Sequence, residues 1–113
     1  MWTKKDRVLA VLNGELADRP PVSAWRHFVD KEHSGSALFV EAMLDWHHTY
    51  DWDYVKLQPR ASYYEEAWGG VFDFDNYEGV LPKCVKGPIG CAEDLEKITV
   101  LPGDHGAFAE QRQ

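Results

Sequence analysis

Pro20 and Pro21 divide the first half of the chain more sharply than any other feature. A proline pair lacks two backbone donors and fixes φ, so no helix passes through it and the chain beyond it starts extended. The residues before it read as a helix over Lys4–Asn13. Thr3 caps it, Asp6 completes a capping box with a shortened acid, and Asn13-Gly14 supplies the left-handed stop. Val8, Leu9, Val11 and Leu12 fall on one apolar stripe of that helix. The residues after it, Val22-Ser23-Ala24-Trp25, read as a short strand, with Arg26 and His27 at its C-terminal end. A loop over Asp30–Gly35 then leads to Ser36, a cap for a second helix over Ala37–Tyr50. There Phe39, Met43, Trp46 and Tyr50 make an apolar stripe opposite Glu41, Asp45 and His48. Tyr54-Val55-Lys56-Leu57 reads as a second strand, stopped by Pro59.

Helix, strand, helix, strand is the order of an α/β protein with a parallel sheet. The second half breaks it. The residues predict one helical turn within Ser62–Trp68, a turn at Gly69-Gly70, a short strand over Val71–Phe74 and a turn at Asn76–Gly79. A loop at Gly87–Gly90, an acidic helix over Ala92–Ile98 and the start of another helix after Asp104 follow. Residues 1–113 are enough for one domain. A last helix of one or two turns needs a partner face, so the chain is expected to be cut from something larger.

Composition excludes several classes. A net charge of −7 disfavours both nucleic acid and anionic membrane surfaces. Hydrophobic residues at 44% and aromatics at 13% supply a core, which argues against global disorder. No uncharged run reaches the roughly 18 residues of a membrane span. The apolar stretch Val8–Leu12 is too short for a secretory leader, and Cys84 and Cys91 are not a disulfide framework, which makes the cytoplasm the expected compartment.

Few residues carry chemistry by spacing alone. Adjacent His47 and His48 point about 100° apart on a helix, unlike the i, i+4 pair of a zinc helix, and His48 shares a solvated face with Glu41 and Asp45. Asp51 and Asp53 read as turn formers around Trp52. Cys84 and Cys91 have no histidine at zinc spacing, so no metal is expected. Tyr63-Tyr64-Glu65-Glu66 reads either as the mouth of a pocket or as a bare aromatic patch.

Lys4–Glu15 followed by Asp18-Arg19-Pro20-Pro21-Val22 resembles the opening of the uroporphyrinogen decarboxylase family. Asp51–Leu57 with Trp68-Gly69 looks like the second strand and following loop of its divergent members. Gly87-Pro88-Ile89 with Glu93-Asp94-Leu95 is similar to a further family stretch. The likeness covers nearly all of this chain and about the first third of a family domain. It implies the N-terminal portion of a (β/α)₈ TIM barrel, an α/β fold that takes about 250 residues to close. The chain would hold about two barrel strands with their helices, plus a hairpin-rich excursion. Such a piece is expected to leave sheet edges unpaired and apolar faces bare, a route to self-association.

The resemblance also implies a carboxy-lyase of porphyrin biosynthesis. The family enzyme removes the carboxyl groups of four acetate arms of uroporphyrinogen, without metal or organic cofactor. Arginines hold the substrate carboxylates and an aspartate stabilises the cationic ring intermediate. Arg26 matches the first arginine of the family's Pro-Val-x-x-x-Arg-Gln-Ala-Gly-Arg-Tyr pattern. A guanidinium offers a carboxylate a planar fork of donors, and the end of a barrel strand is where such sites collect. His27 is the second substrate-binding candidate. The second arginine of the pattern falls on Asp30, and Gln-Ala-Gly becomes His27-Phe28-Val29. The family aspartate falls on Gln58, a neutral amide that cannot offset a developing cation as a carboxylate does. Lys56 reads as either a residue of the barrel interior or a strand-edge lysine.

In this reading the expected partner is a small carboxylate, and the chain alone is expected to be inactive. Two alternatives stand beside it. One is a fragment of the superfamily's corrinoid-dependent methyltransferases, whose zinc ligands are expected beyond residue 113. The other is a small α+β module that binds a protein partner through its aromatic surface.

Overall fold

The first helix forms where its caps dictate. In the computed structural model, which describes every residue from Met1 to Gln113, α1 spans Lys4–Leu12. The Asp6 N–H donates to the Thr3 hydroxyl at 3.1 Å, and the Asp6 carboxylate accepts from the Thr3 N–H at 3.2 Å. Asn13 closes the helix and Gly14 takes φ +76°, a conformation that favours glycine. The buried residues of α1 are Arg7 and Ala10, while Leu9, Val11 and Leu12 are exposed. The apolar stripe therefore does not face the core. Arg7 is drawn inward by carboxylates of Asp18 and Asp53, and that fixes the rotation of the helix.

Helix α2 runs over Ser36–Tyr50, close to its expected span. Ser36 is the first helical residue and its hydroxyl donates to Gln113 Oε1 at 2.5 Å, so it does not serve as the expected cap. Phe39 is buried, Met43 and Trp46 are half-buried, and Glu41, Asp45 and His48 are exposed, as the stripe predicts, but Tyr50 at its end is exposed, its ring lying against Trp46 and Trp52. Asp51 ends the helix at φ 53° and pairs with the Lys4 ammonium.

The expected strands Val22–Trp25 and Tyr54–Leu57 do not form: neither joins a ladder, and Tyr54 lies in a bend, because Asp53 and side-chain groups take the bonds a strand pair would share. The two segments nevertheless meet at a nearly constant offset, 31, 31 and 32 positions at three successive contacts. The Asp53 N–H donates to the Val22 carbonyl at 2.9 Å, the Ser23 hydroxyl to the Tyr54 carbonyl at 2.7 Å, and the Gln58 amide to the Arg26 carbonyl at 3.1 Å. Such an offset means that the two segments run in the same direction, since antiparallel partners keep a constant sum instead. Side-chain oxygens and amides take bonds that a full ladder would give to the backbone.

The only ladder lies in the second half. Helix α3 spans Tyr63–Ala67, and β1 (Val71–Glu78) pairs antiparallel with β2 (Leu81–Lys86). Strand β1 is longer than expected, and the turn moves from Asn76–Gly79 to Gly79-Val80. The cause is Asp73, whose carboxylate accepts from the Asp75 N–H at 3.0 Å and the Asn76 amide at 2.7 Å. That local turn sits inside the strand and bulges it, so the register slips between Asp73 and Tyr77. Two short 3-10 helices, Ala92–Lys97 and Gly106–Arg112, replace the expected α-helices. Gly70 allows a close approach between α3 and β1, because a Cβ there would lie 2.8 Å from the Glu65 carbonyl oxygen and 3.0 Å from Phe72 Cε2. Gly70→Ala is expected to cost about 1–3 kcal/mol in urea denaturation, the usual penalty of overpacking. An unchanged midpoint would mean the turn relaxes freely.

The fold is mixed helix and strand with one two-stranded antiparallel sheet. The chain divides into two compact units. One comprises Met1–Arg26 and Val40–Gln58, the other His27–Phe39 and Pro59–Gln113. No helix is long and apolar enough to cross a membrane.

Candidate functional site

In the first unit the polar residues gather around Asp53. Its side chain has no accessible surface (0%). It accepts from Arg7 at 2.6 Å, from two nitrogens of Arg19 at 2.5 and 3.0 Å, and from the Val22 N–H at 2.8 Å. The Arg19 hydrogen bond, then the Val22 N–H, hold its carboxyl well below the usual range. Asp18 grips Arg7 bidentately at 2.7 and 2.8 Å and is likewise held low. Every partner is inside the unit, so this cluster ties the Asp18-Arg19-Pro20-Pro21 turn to the junction after α2. The reading of Asp53 as a turn former understates it, since it is the hub of the unit.

Arg26 and Gln58 lie at the same end of the two segments. The Gln58 amide donates to the Arg26 carbonyl, and the Arg26 guanidinium carbon sits 5.7 Å from the centroid of the Trp46 ring. Trp46 is itself fixed, because its indole N–H donates to the Ala24 carbonyl at 3.1 Å. The distance between Arg26 and the Trp46 ring is within the reach of a cation–π attraction. Lys56 is exposed, with its ammonium 4.3 Å over the Trp25 ring.

His27 is placed differently. Its Nδ1 lies 2.9 Å from Glu32 Oε1, within the second unit. Glu32 also accepts the Phe28 N–H at 2.6 Å and the Ala61 N–H at 3.0 Å, with no accessible side-chain surface (0%). The structure thus joins Arg26 to Gln58, and His27 to Glu32.

Sequence reasoning missed Arg60. It is buried and bridges Glu66 and Glu110, the latter through two bonds of 2.8 and 2.9 Å. Burial opposes its charge, but hydrogen bonds to Glu110 and Glu66 outweigh this and raise its pKa. A cavity of about 230 Å³ lies beside it, lined by Glu32, His33, Phe74 and Glu110 among others. His33 stacks on Phe74 at 3.9 Å, and burial, followed by the charge of Arg60, lowers its pKa. Both carboxylates on Arg60 come from this chain, so the guanidinium is spent on holding α3 and the second 3-10 helix together. Its only sequence signal was a charge directly after Pro59.

The aromatic run after Arg60 packs on Phe108 but leaves Tyr64 59% accessible. Tyr63 and Tyr64 lie 4.1 Å apart, and Phe108 meets Tyr63, Tyr64 and Trp68 edge-on at 6.0, 5.7 and 5.5 Å. Burial, with Tyr64 adding to it, pushes the Tyr63 phenol up to about 12. The rings of His47 and His48 are 5.7 Å apart and tilted, Cys84 and Cys91 are free and exposed, and no three His, Cys, Asp or Glu side chains converge to hold an ion. No protein-family model matches the chain, and neither a curated protein nor a solved structure matches it.

Proposed function

We propose that the chain is the N-terminal part of a uroporphyrinogen decarboxylase-like barrel enzyme, in which Arg26 anchors a substrate carboxylate. The observation that carries this reading is the nearly constant offset of 31 to 32 positions between the two segments, which run in the same direction on either side of α2 with Arg26 and Gln58 in contact at their far end. Two neighbouring barrel strands with their connecting helix have this arrangement, and catalytic side chains collect at the strands' C-terminal ends. Exposed apolar residues on the same unit are consistent with surfaces that further strands would cover. Leu12 is 76% and Leu57 85% accessible, and Val22, Trp25 and Val55 are also exposed. Gln58 in place of the family aspartate turns the proposal away from stabilising a cationic ring and toward carboxylate binding. The acetate arms of a tetrapyrrole are the expected substrate groups.

The test is titration of the chain with uroporphyrin, an unreactive tetrapyrrole bearing the same arms, followed by tryptophan fluorescence. Trp46, whose ring centroid lies 5.7 Å from the Arg26 guanidinium, is the expected reporter. Arg26→Ala is expected to weaken binding by about 1.5–3 kcal/mol, the worth of a hydrogen bond to a charged group. Arg26→Lys should recover only part, since an ammonium lacks the fork. Equal affinity in all three proteins would remove Arg26 from the site.

A further inference from the structure

We propose that the groove between α3 and the first 3-10 helix binds a hydrophobic amine, a small ligand with an apolar body and one positive charge. The groove has a volume of about 490 Å³ and belongs wholly to the second unit. Tyr64 and Trp68 form one wall, and Ile89, Leu95 and Ile98 the other. The lining is mostly apolar and the groove is open to solvent along one side, so a ligand would lie against it rather than be enclosed.

Both aromatic walls are set before any ligand arrives. The indole N–H of Trp68 is spent on the Thr99 carbonyl at 2.9 Å, so the ring presents only carbon to the groove. Tyr64 is held between Tyr63 and Phe108. The one charged residue of the lining is Glu65, and no lysine or arginine lines the groove. The carboxylate of Glu65 takes part in no hydrogen bond or ion pair, unlike that of Glu66 beside it, which is spent on Arg60. The charge of the groove is therefore uncompensated and of one sign.

That combination selects among ligands of equal shape. An uncharged ligand gains only burial of its apolar body. An anion meets Glu65 and is repelled. A cation gains an ion pair with Glu65 and the attraction of a positive group for the faces of Trp68 and Tyr64. The inference uses none of the residues of the Arg26 reading, and the two stand or fall separately.

Three probes of one shape test it: 2-phenylethylamine, 2-phenylethanol and 3-phenylpropionate, each titrated into the intact chain at pH 7 with amide and indole NMR shifts as the readout. The amine is expected to bind about fivefold to tenfold more tightly than the alcohol, and the propionate most weakly. The shifts should centre on Tyr64, Trp68, Ile89 and Leu95. Glu65→Gln, at an exposed position, should keep the spectrum of the folded chain and bring the amine down to the alcohol's affinity. Equal affinities for the three probes, an amine preference that survives Glu65→Gln, shifts centred elsewhere, or no shift with the amine would each overturn the proposal.

Discussion

Asp53→Ala is expected to be the most damaging single substitution in the first unit, with a fall in melting temperature of roughly 10 °C or more. Truncation leaves the Val22 N–H without its acceptor, Arg19 without its carboxylate, and the buried Arg7 with Asp18 as its one remaining acid. A buried charge that loses its partner is costly because water cannot replace what was removed. Asp53→Asn should fall in between, since an amide oxygen still serves Val22 but carries no charge. The same carboxyl sets the acid limit of the unit. Its pKa in the folded chain is depressed, so its contribution is complete above the unfolded value of about 4 and is lost as the pH falls below it toward the folded value. Asp18 acts in the same sense. Circular dichroism melts between pH 7 and pH 2 should therefore show stability falling below about pH 4, with a shallower fall in Asp53→Ala. A variant that melts like the parent at pH 7 would show that the arginines find other partners.

Glu32→Ala is expected to have the largest effect in the second unit. Three donors converge on this carboxylate: the Phe28 N–H, the Ala61 N–H and the His27 ring. Two of them are backbone groups with no means of turning to water. At about 1–3 kcal/mol for each buried group left unsatisfied, the loss comes to roughly 2–6 kcal/mol. Small domains have only about 5–15 kcal/mol in total, so the unit should lose a substantial part of its stability. Glu32→Gln keeps one carbonyl oxygen and should lose about half as much. Urea denaturation gives the size of the effect. Hydrogen exchange gives its place, because the amides of Phe28 and Ala61 should lose protection ahead of those in β1. If those two amides stay protected in Glu32→Ala, the carboxylate is not what orders them.

These two hubs show where sequence reasoning succeeds and where it stops. Helix α1 was legible because its signals are local: Thr3, Asp6, Asn13 and Gly14 act within a turn of the residues they organise. Helix α2 was legible through its periodicity. The rotation of α1 was not, because a stripe of Val and Leu suggests an inward face, while the actual inward face is set by Arg7 meeting a carboxylate 46 positions away. Strand β2 was missed because Pro82, Lys83 and Lys86 mask its pattern, and β1 was cut short because Asp73 and Asn76 look like the end of a strand. Of the proposed site, Arg26 and Gln58 were singled out by the family resemblance, whereas their contact required the fold. Arg60, Glu66 and Glu110 could not be paired from sequence, since no local rule links an arginine to an acid fifty residues on.

The interruption of β1 at Asp73–Tyr77 bears on how these molecules behave in crowded solution. A straight hairpin offers its outer margin as a template on which the next copy can lie down, and fibrils grow that way. Here that margin is bent by a carboxylate curled onto its own backbone, while Pro82 on the opposite strand has no amide hydrogen to lend. Straightening the first by removing Asp73 would give stacking molecules a flat rail that the wild-type strand denies them.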